Sequence, residues 1–241
     1  MHWRLLLHPK SRSATQAVAL DEVLLRRVEV PTLRLWVNER CLVAGRFDAR
    51  LPHFQRAQRL FDAQGVPLVQ RTSGGTAVWH DRGVFNVSLI VPPSVAPHGV
   101  HAAFEQLAQG MLNGLSLLGL KTDFGRVAGT YCDGPHNVVI NHKKVAGLAQ
   151  TRRHTGVLVH ASVLVDVDLS SMHEHLELFY DVAGTPKTFF RAGVTTLAEN
   201  LAFSPTFSDL TDAFVAGYTR QGARFERYTI PGLRGQGKRN G

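Results

Sequence analysis

An α+β fold, one domain built on a mixed sheet, is what the sequence predicts, and three observations predict it. Strand-like segments crowd the middle of the chain at 84–91, 138–140, 144–150 and 157–165, each rich in β-formers and bounded by turn residues. Helical segments lie among them without the regular strand-helix-strand alternation that builds a doubly wound parallel sheet. No internal repeat and no break in composition divides the chain before a basic tail at 231–241, so residues 1–230 read as one unit.

Taken in order, the chain opens with a strand at 3–7. An amphipathic helix at 14–27 follows, where Val18, Leu20, Val23 and Leu24 recur around the acidic pair Asp21-Glu22. Alternation predicts a strand at 32–36, and an apolar run predicts another at 41–44 that Gly45 ends. Helical spacing over 54–64 stops at Gly65. Residues 67–71 form a strand entering a glycine loop, and 77–79 a short one leaving it. Pro92-Pro93 closes the strand at 84–91, because proline has no N–H for a ladder. The clearest helix covers 100–118, with Phe104, Leu107, Met111, Leu115 and Leu118 at helical spacing and Gly119 as its stop. Polar turns at Asn141-His142 and at 152–156 join the next three strands. Helices near 172–180, from 197 and around 210–221, then a strand near 224–229, complete the reading.

Composition narrows the function. At 241 residues and 44% hydrophobic, the chain can bury a sizeable core. It has no apolar run of about 18 residues to span a membrane. The patch Leu5-Leu6-Leu7 falls short of a signal-peptide core of roughly 7 to 15 residues, so a cytoplasmic protein without a membrane partner is expected. Two cysteines are too few for a disulfide framework and lack zinc-site spacing. Cys41 lies in an apolar run and reads as core. Cys132 lies in Tyr131-Cys132-Asp133-Gly134-Pro135, which is turn chemistry, where a thiol can be exposed and reactive. A net charge of +8 points to an acidic partner. No aromatic-interleaved basic motif accompanies it, so nucleic acid is not the expected partner.

Two constellations carry chemistry. The first, inside residues 70–88, is Arg71-Thr72-Ser73-Gly74-Gly75 followed by His80-Asp81. A glycine pair turns sharply and brings backbone N–H groups close to a ligand. The spacing matches neither a Walker loop nor the dinucleotide glycine pattern. The second is Lys143-Lys144-Val145-Ala146-Gly147-Leu148-Ala149-Gln150, with His160-Ala161-Ser162 in the following strand. Small residues there leave space for a ligand chain, which would set the Lys144 ammonium beside a polar head.

Together these motifs resemble the catalytic domain of the lipoate-protein ligase and octanoyltransferase family. Ala19-Leu20-Asp21-Glu22, Gly45-Arg46-Phe47 and Val194-Thr195-Thr196-Leu197 extend the likeness through about Asn200. There are departures: Gln70 replaces the first arginine of the family's usual pair, Thr76 stands where ligases often have a third glycine, and Ala161 replaces the glycine after the strand histidine. The resemblance implies a class II biotin/lipoate ligase-like catalytic domain over 1–230, with a mixed, largely antiparallel sheet flanked by helices.

It also implies attachment of a lipoyl or octanoyl group to a lysine of a lipoyl carrier, either a lipoyl domain or a protein of the glycine cleavage H type. The first expectation is the ligase route, in which ATP with Mg²⁺ and free lipoate or octanoate form an acyl-adenylate. Lys144 then supplies positive charge. Arg71, Ser73, Gly74, Gly75, Thr76 and His80 would form one wall of the acyl and phosphate pocket. Gly147, Ala149, His160, Ala161 and Ser162 would form the other, and no metal site built by protein ligands is expected. The second expectation is the octanoyltransferase route, with octanoyl acyl carrier protein as donor, a Cys132 thioester and no cofactor. The sequence stops short of the accessory domain of many stand-alone ligases, so a separate accessory subunit is expected where one is needed.

Overall fold

The computed structural model describes residues 1–11 and 13–230; the expected tail at 231–241 lies outside the described residues. The elements run β1 (His2–His8), α1 (Ala14–Arg26), β2 (Thr32–Val37), β3 (Cys41–Ala44), α2 (Phe54–Ala63), β4 (Leu68–Gln70), β5 (Val78–His80), β6 (Val84–Val91) and α3 (Val100–Leu117). They continue with β7 (Asp123–Gly125), β8 (Asn137–Ile140), β9 (Lys143–Arg153), β10 (Gly156–Leu164), α4 (Leu169–Val182), α5 (Leu197–Leu201), α6 (Phe207–Thr219) and β11 (Arg224–Arg227).

Every expected element is present, and the shifted boundaries have local causes. Helix α4 starts three residues early because Asp168 caps it, its carboxylate accepting the Ser171 N–H at 3.0 Å. Helix α6 likewise starts at Phe207, where Thr206 and Asp209 form a capping box. The turn between β8 and β9 holds Asn141 and His142 at φ +49° and +63°, the left-handed conformation a two-residue hairpin demands. Strand β7 was not expected. Its three residues carry no local strand signal, and it exists by pairing antiparallel with β8.

The fold is α+β. Among the described residues eight strands form one mixed sheet in the order β11-β1-β2-β6-β10-β9-β8-β7, parallel at β11-β1-β2 and antiparallel across the rest. A second sheet has the order β4-β3-β5. The central strand β6 is buried along its whole length and sorts its residues by parity. Phe85, Val87, Leu89 and Val91 join a core with Leu107 and Met111 of α3 and Phe214 of α6. Asn86, Ser88 and Ile90 face the other way. Strand β10 repeats this sorting in register, with His160 opposite Ser88 and Ser162 opposite Asn86. One face of the sheet is therefore apolar throughout, and the other gathers the polar groups beneath α1 and the small sheet. That second side has its own core, where Trp36, Phe61, Trp79 and Phe179 pack together.

Candidate active site

The glycine loop is a bridge within the small sheet, leaving β4 and returning as β5. Its ends are tied by main-chain bonds: Arg71 N–H to the Ala44 carbonyl and Arg46 N–H to the Ser73 carbonyl, both at 3.0 Å. The Ala77 N–H donates to the Tyr180 hydroxyl at 2.8 Å, and that hydroxyl donates to Asp48 at 2.9 Å. Inside the loop one Arg71 terminal nitrogen donates to the carbonyls of Gly74 (3.0 Å) and Thr76 (2.9 Å), folding the backbone over its own guanidinium. Gly75 sits at φ +83°, and a Cβ there would stand 2.6 Å from Cys132 Sγ. Glycine is required at this position because the backbone passes against a thiol.

The thiol belongs to the turn after β7. Thr76 Oγ1 accepts the Cys132 N–H at 2.7 Å, stitching loop to turn, and Asn137 donates to the Cys132 carbonyl at 3.0 Å. Cys132 itself adopts φ +49°. From β9, the Lys144 ammonium reaches the same turn, donating to the carbonyls of Tyr131 and, at 3.2 Å, Cys132. It also lies 3.8 Å from the centre of the Tyr131 ring. Lys144 is wholly buried. Burial lowers its pKa to about 8, with Cys132 and Asp133 opposing the fall and Arg71 adding to it. At neutral pH it is still an ammonium, fixed by carbonyl oxygens.

Two cavities flank the loop. The first, about 410 Å³, has Gly75, Thr76, Cys132, His136 and Ala149 on its walls. The second, about 280 Å³, lies beneath α1 and is lined by Trp36, Arg71, Ser73, His80, His160 and Ser162, among others. Its histidines and serines pair with one another. Ser73 Oγ lies 2.7 Å from His160 Nε2 and His80 Nε2 lies 2.9 Å from Ser162 Oγ. Ser162 in turn donates to Asn86 Oδ1 at 2.9 Å. With the Ser162 proton spent on Asn86, His80 Nε2 must carry hydrogen and its Nδ1 accepts from Asn38 at 3.3 Å. Burial, reinforced by Arg71, lowers the pKa of both imidazoles to about 3, so they are neutral at physiological pH.

Comparison with known proteins identifies the family. The sequence model of the Lipoyl protein ligase A/B catalytic domain matches residues 13–219. The chain belongs to this family. A relative from Kyrpidia tusciae, named octanoyl-[GcvH]:protein N-octanoyltransferase, is 34% identical over 192 residues, which are 74% of this chain and 66% of that protein. A relative of the same name from Anoxybacillus flavithermus is 31% identical, covering 93% of this chain and 86% of its own. A crystal structure of lipoate-protein ligase A bound with ATP shares the fold, with a TM-score of 0.78 over 96% of this chain and 90% of its own, at 23% identity.

Within this lipoyl ligase A/B domain the expected residues divide. Gly74, Gly75, Thr76, Cys132 and Ala149 line the first cavity, and Arg71, Ser73, His80, His160 and Ser162 line the second. Lys144 lies buried behind the Cys132 turn. The room over Gly147, expected to hold a ligand chain, is taken by Lys144 itself: a Cβ on Gly147 would stand 3.1 Å from the ammonium. Ala161 lies on the opposite face of β10, in the core with α3, where strand parity places it away from both cavities. Cys41 is buried as expected, and burial pushes its thiol pKa up. Tyr131 and Asn137 were not singled out from the sequence. Their part depends on a carbonyl and an amide meeting Lys144 and Cys132 across a turn, for which no local pattern exists.

Proposed function

We propose that residues 1–230 act as one catalytic unit that moves an octanoyl group from the lysine of one carrier to the lysine of another through a thioester on Cys132. The observation that carries this reading is the thiol itself, held on a cavity wall against Gly75 with the Lys144 ammonium bonded to the carbonyl of the same residue. The donor follows the names of the two relatives, which read octanoyl-[GcvH]. An H-type carrier therefore replaces the acyl carrier protein first expected as donor. Exchange of one lysine amide for another is close to thermoneutral, so it needs no nucleotide.

In the first half-reaction Sγ attacks the donor amide carbonyl; a C–S bond forms, the C–N bond breaks and the leaving amine takes up a proton. In the second the acceptor ε-amine attacks the thioester, a C–N bond forms, and the electron pair of the broken C–S bond returns to sulfur. The fixed charge of Lys144 favours the developing oxyanion in both halves. The second cavity, with Trp36 and Leu158 among its walls and the His80 and His160 imidazoles held neutral, suits the acyl chain.

The ligase route asks for a triphosphate cradle, and three basic groups around the loop already have carbonyl partners. Lys144 and the Arg71 terminal nitrogen are committed to main-chain carbonyls, and Arg152 donates to the carbonyls of Gly99 and Pro97, each at 3.1 Å. The transfer route uses neither ATP nor Mg²⁺, and it is the one followed above.

The test is to mix the protein with octanoylated H-type carrier and, separately, with octanoate plus ATP and Mg²⁺, then read intact masses of enzyme and acceptor. The expected result is a hydroxylamine-sensitive octanoyl adduct that Cys132→Ser abolishes, with transfer falling ~10⁴-fold or more. Nucleotide-dependent modification that survives Cys132→Ser would return the assignment to the ligase route.

A further inference from the structure

The exchange just described must move protons as well as acyl groups. A carrier lysine arrives as an ammonium and cannot attack until one proton leaves; a departing amine must gain one. Lys144 is poorly placed for this work, being wholly buried and bonded to two carbonyls. A second basic group stands on the same cavity wall as Cys132. His136 is buried, 9% exposed, and its ring is stacked on Phe104 with centroids 4.7 Å apart and planes 13° from parallel. Its Nε2 lies 3.4 Å from Nδ1 of His101, which is exposed on the first turn of α3.

We propose that His136 and His101 form a proton relay between the Cys132 cavity and solvent, serving the attacking and departing lysine amines. The proposal rests on the transfer reading above. In the acceptor half-reaction the ε-ammonium gives one proton to His136, which passes it through the shared hydrogen bond to His101 and so to water. The freed amine then forms the C–N bond, and the proton it sheds goes to Sγ as the C–S bond breaks. One proton leaves per amide made. The donor half-reaction runs the relay inward, delivering that proton to the departing amine. Both substrates are lysine amides, so one device serves both directions by microscopic reversibility.

The surroundings suit a base. His101 and Glu105 approach from α3, Cys132 and Asp133 from the turn, Arg152 from β9, and Phe124 of β7 covers an edge with ring centres 6.2 Å apart. Burial, then the neighbouring His101, lower the pKa of His136, and Glu105 opposes them, which keeps the imidazole free to accept a proton at neutral pH. A carrier docked over the cavity would shut out bulk water, leaving His101 as the outlet.

The experiment loads the full chain with octanoylated H-type carrier, confirms the thioester by mass, and mixes it with an unmodified lipoyl domain across pH 6 to 9.5. His136→Asn is expected to slow transfer by ~10²-fold at pH 7 with little change in acceptor KM, the deficit closing as pH rises and 4-methylimidazole restoring part of the rate. His101→Asn is expected to slow it by ~3- to 10-fold with the same pH trend. Wild-type rates, or a pH profile parallel to wild type with no imidazole rescue, overturn the relay. If His136→Asn does not fold, exposed His101→Asn decides alone. Absence of a wild-type thioester, seen before any mixing, overturns the transfer reading and the relay with it; a normal thioester followed by normal transfer in both variants overturns only the relay.

Discussion

The two cavities beside the glycine loop bury titratable groups in opposite ways. In the second, His80 is 3% exposed and gains only hydroxyl and amide partners, and the chain meets the cost of burial by leaving its imidazole neutral. Beside the first, Lys144 is as deeply buried but meets carbonyl oxygens and an aromatic face, and it keeps its charge at neutral pH. The same desolvation thus gives neutral imidazoles on one side and a fixed cation on the other. What decides is the chemistry of the nearest acceptors. Neutral imidazoles beside Trp36 and Leu158 suit an acyl chain, and a cation beside a thiol suits acyl transfer.

Lys144→Met tests this contrast most severely. It is expected to lower octanoyl transfer by ~10²- to 10³-fold while thioester-forming Cys132 remains present. Stability tells the other half. An unfolded lysine holds its proton to about pH 10.5 whereas Lys144 releases it near 8, so the unfolded state binds more protons in that window and stability rises with pH across it. Denaturant titrations should show a rise of about 3 kcal/mol in the wild type that is missing in Lys144→Met.

Gly75→Ala attacks the seam between the cavities. The left-handed backbone costs an alanine ~1–2 kcal/mol, and the new methyl collides with Sγ. A fall of ~10- to 10²-fold in transfer with a much smaller loss in thermal midpoint is the expected pattern. Equal scaling of the two would mean that the loop is only a turn.

The neutral side is tested by acid. An unfolded histidine takes its proton near pH 6.5, whereas His80 refuses it until about 3, so stability is lost as pH falls through that interval. His80→Gln removes this group, and the unfolding free energy from urea titrations should then drop between pH 6.5 and 5 by about 2 kcal/mol less than in wild type. The smallest effect belongs to Ala161→Gly. That methyl packs away from both cavities, so the change should cost about 1 kcal/mol of stability and leave octanoyl transfer at its wild-type rate.

Much of this arrangement is legible in the residues. The turn at Asn141-His142, the stop at Gly119 and the paired loop and strand motifs each announce themselves within a few neighbours. The Thr206 and Asp209 capping box was equally readable and would have set the start of α6 correctly. Other features had no such signal. Lys144 reads as a surface charge by residue type, and only the packing of β9 behind the turn at Tyr131 buries it completely. Ala161 sits between two site residues in sequence, yet the two-residue period of a strand turns it to the opposite face. His101 and His136 are 35 positions apart and meet only because α3 packs beside β8 and the turn that precedes it.

The sequence by itself determined every element but β7, the family motifs and the presence of a thiol and an amine suited to acyl transfer, because hydrophobic period, capping and turn chemistry act over a few residues. The tertiary structure alone decided that the thiol would lie against Gly75, that Lys144 would lie over Gly147 rather than leave space there, and that the polar groups would split into two cavities. Those outcomes depend on desolvation and on carbonyl partners supplied from distant segments. Such groups acquire their neighbours only when the sheet and its two cores close.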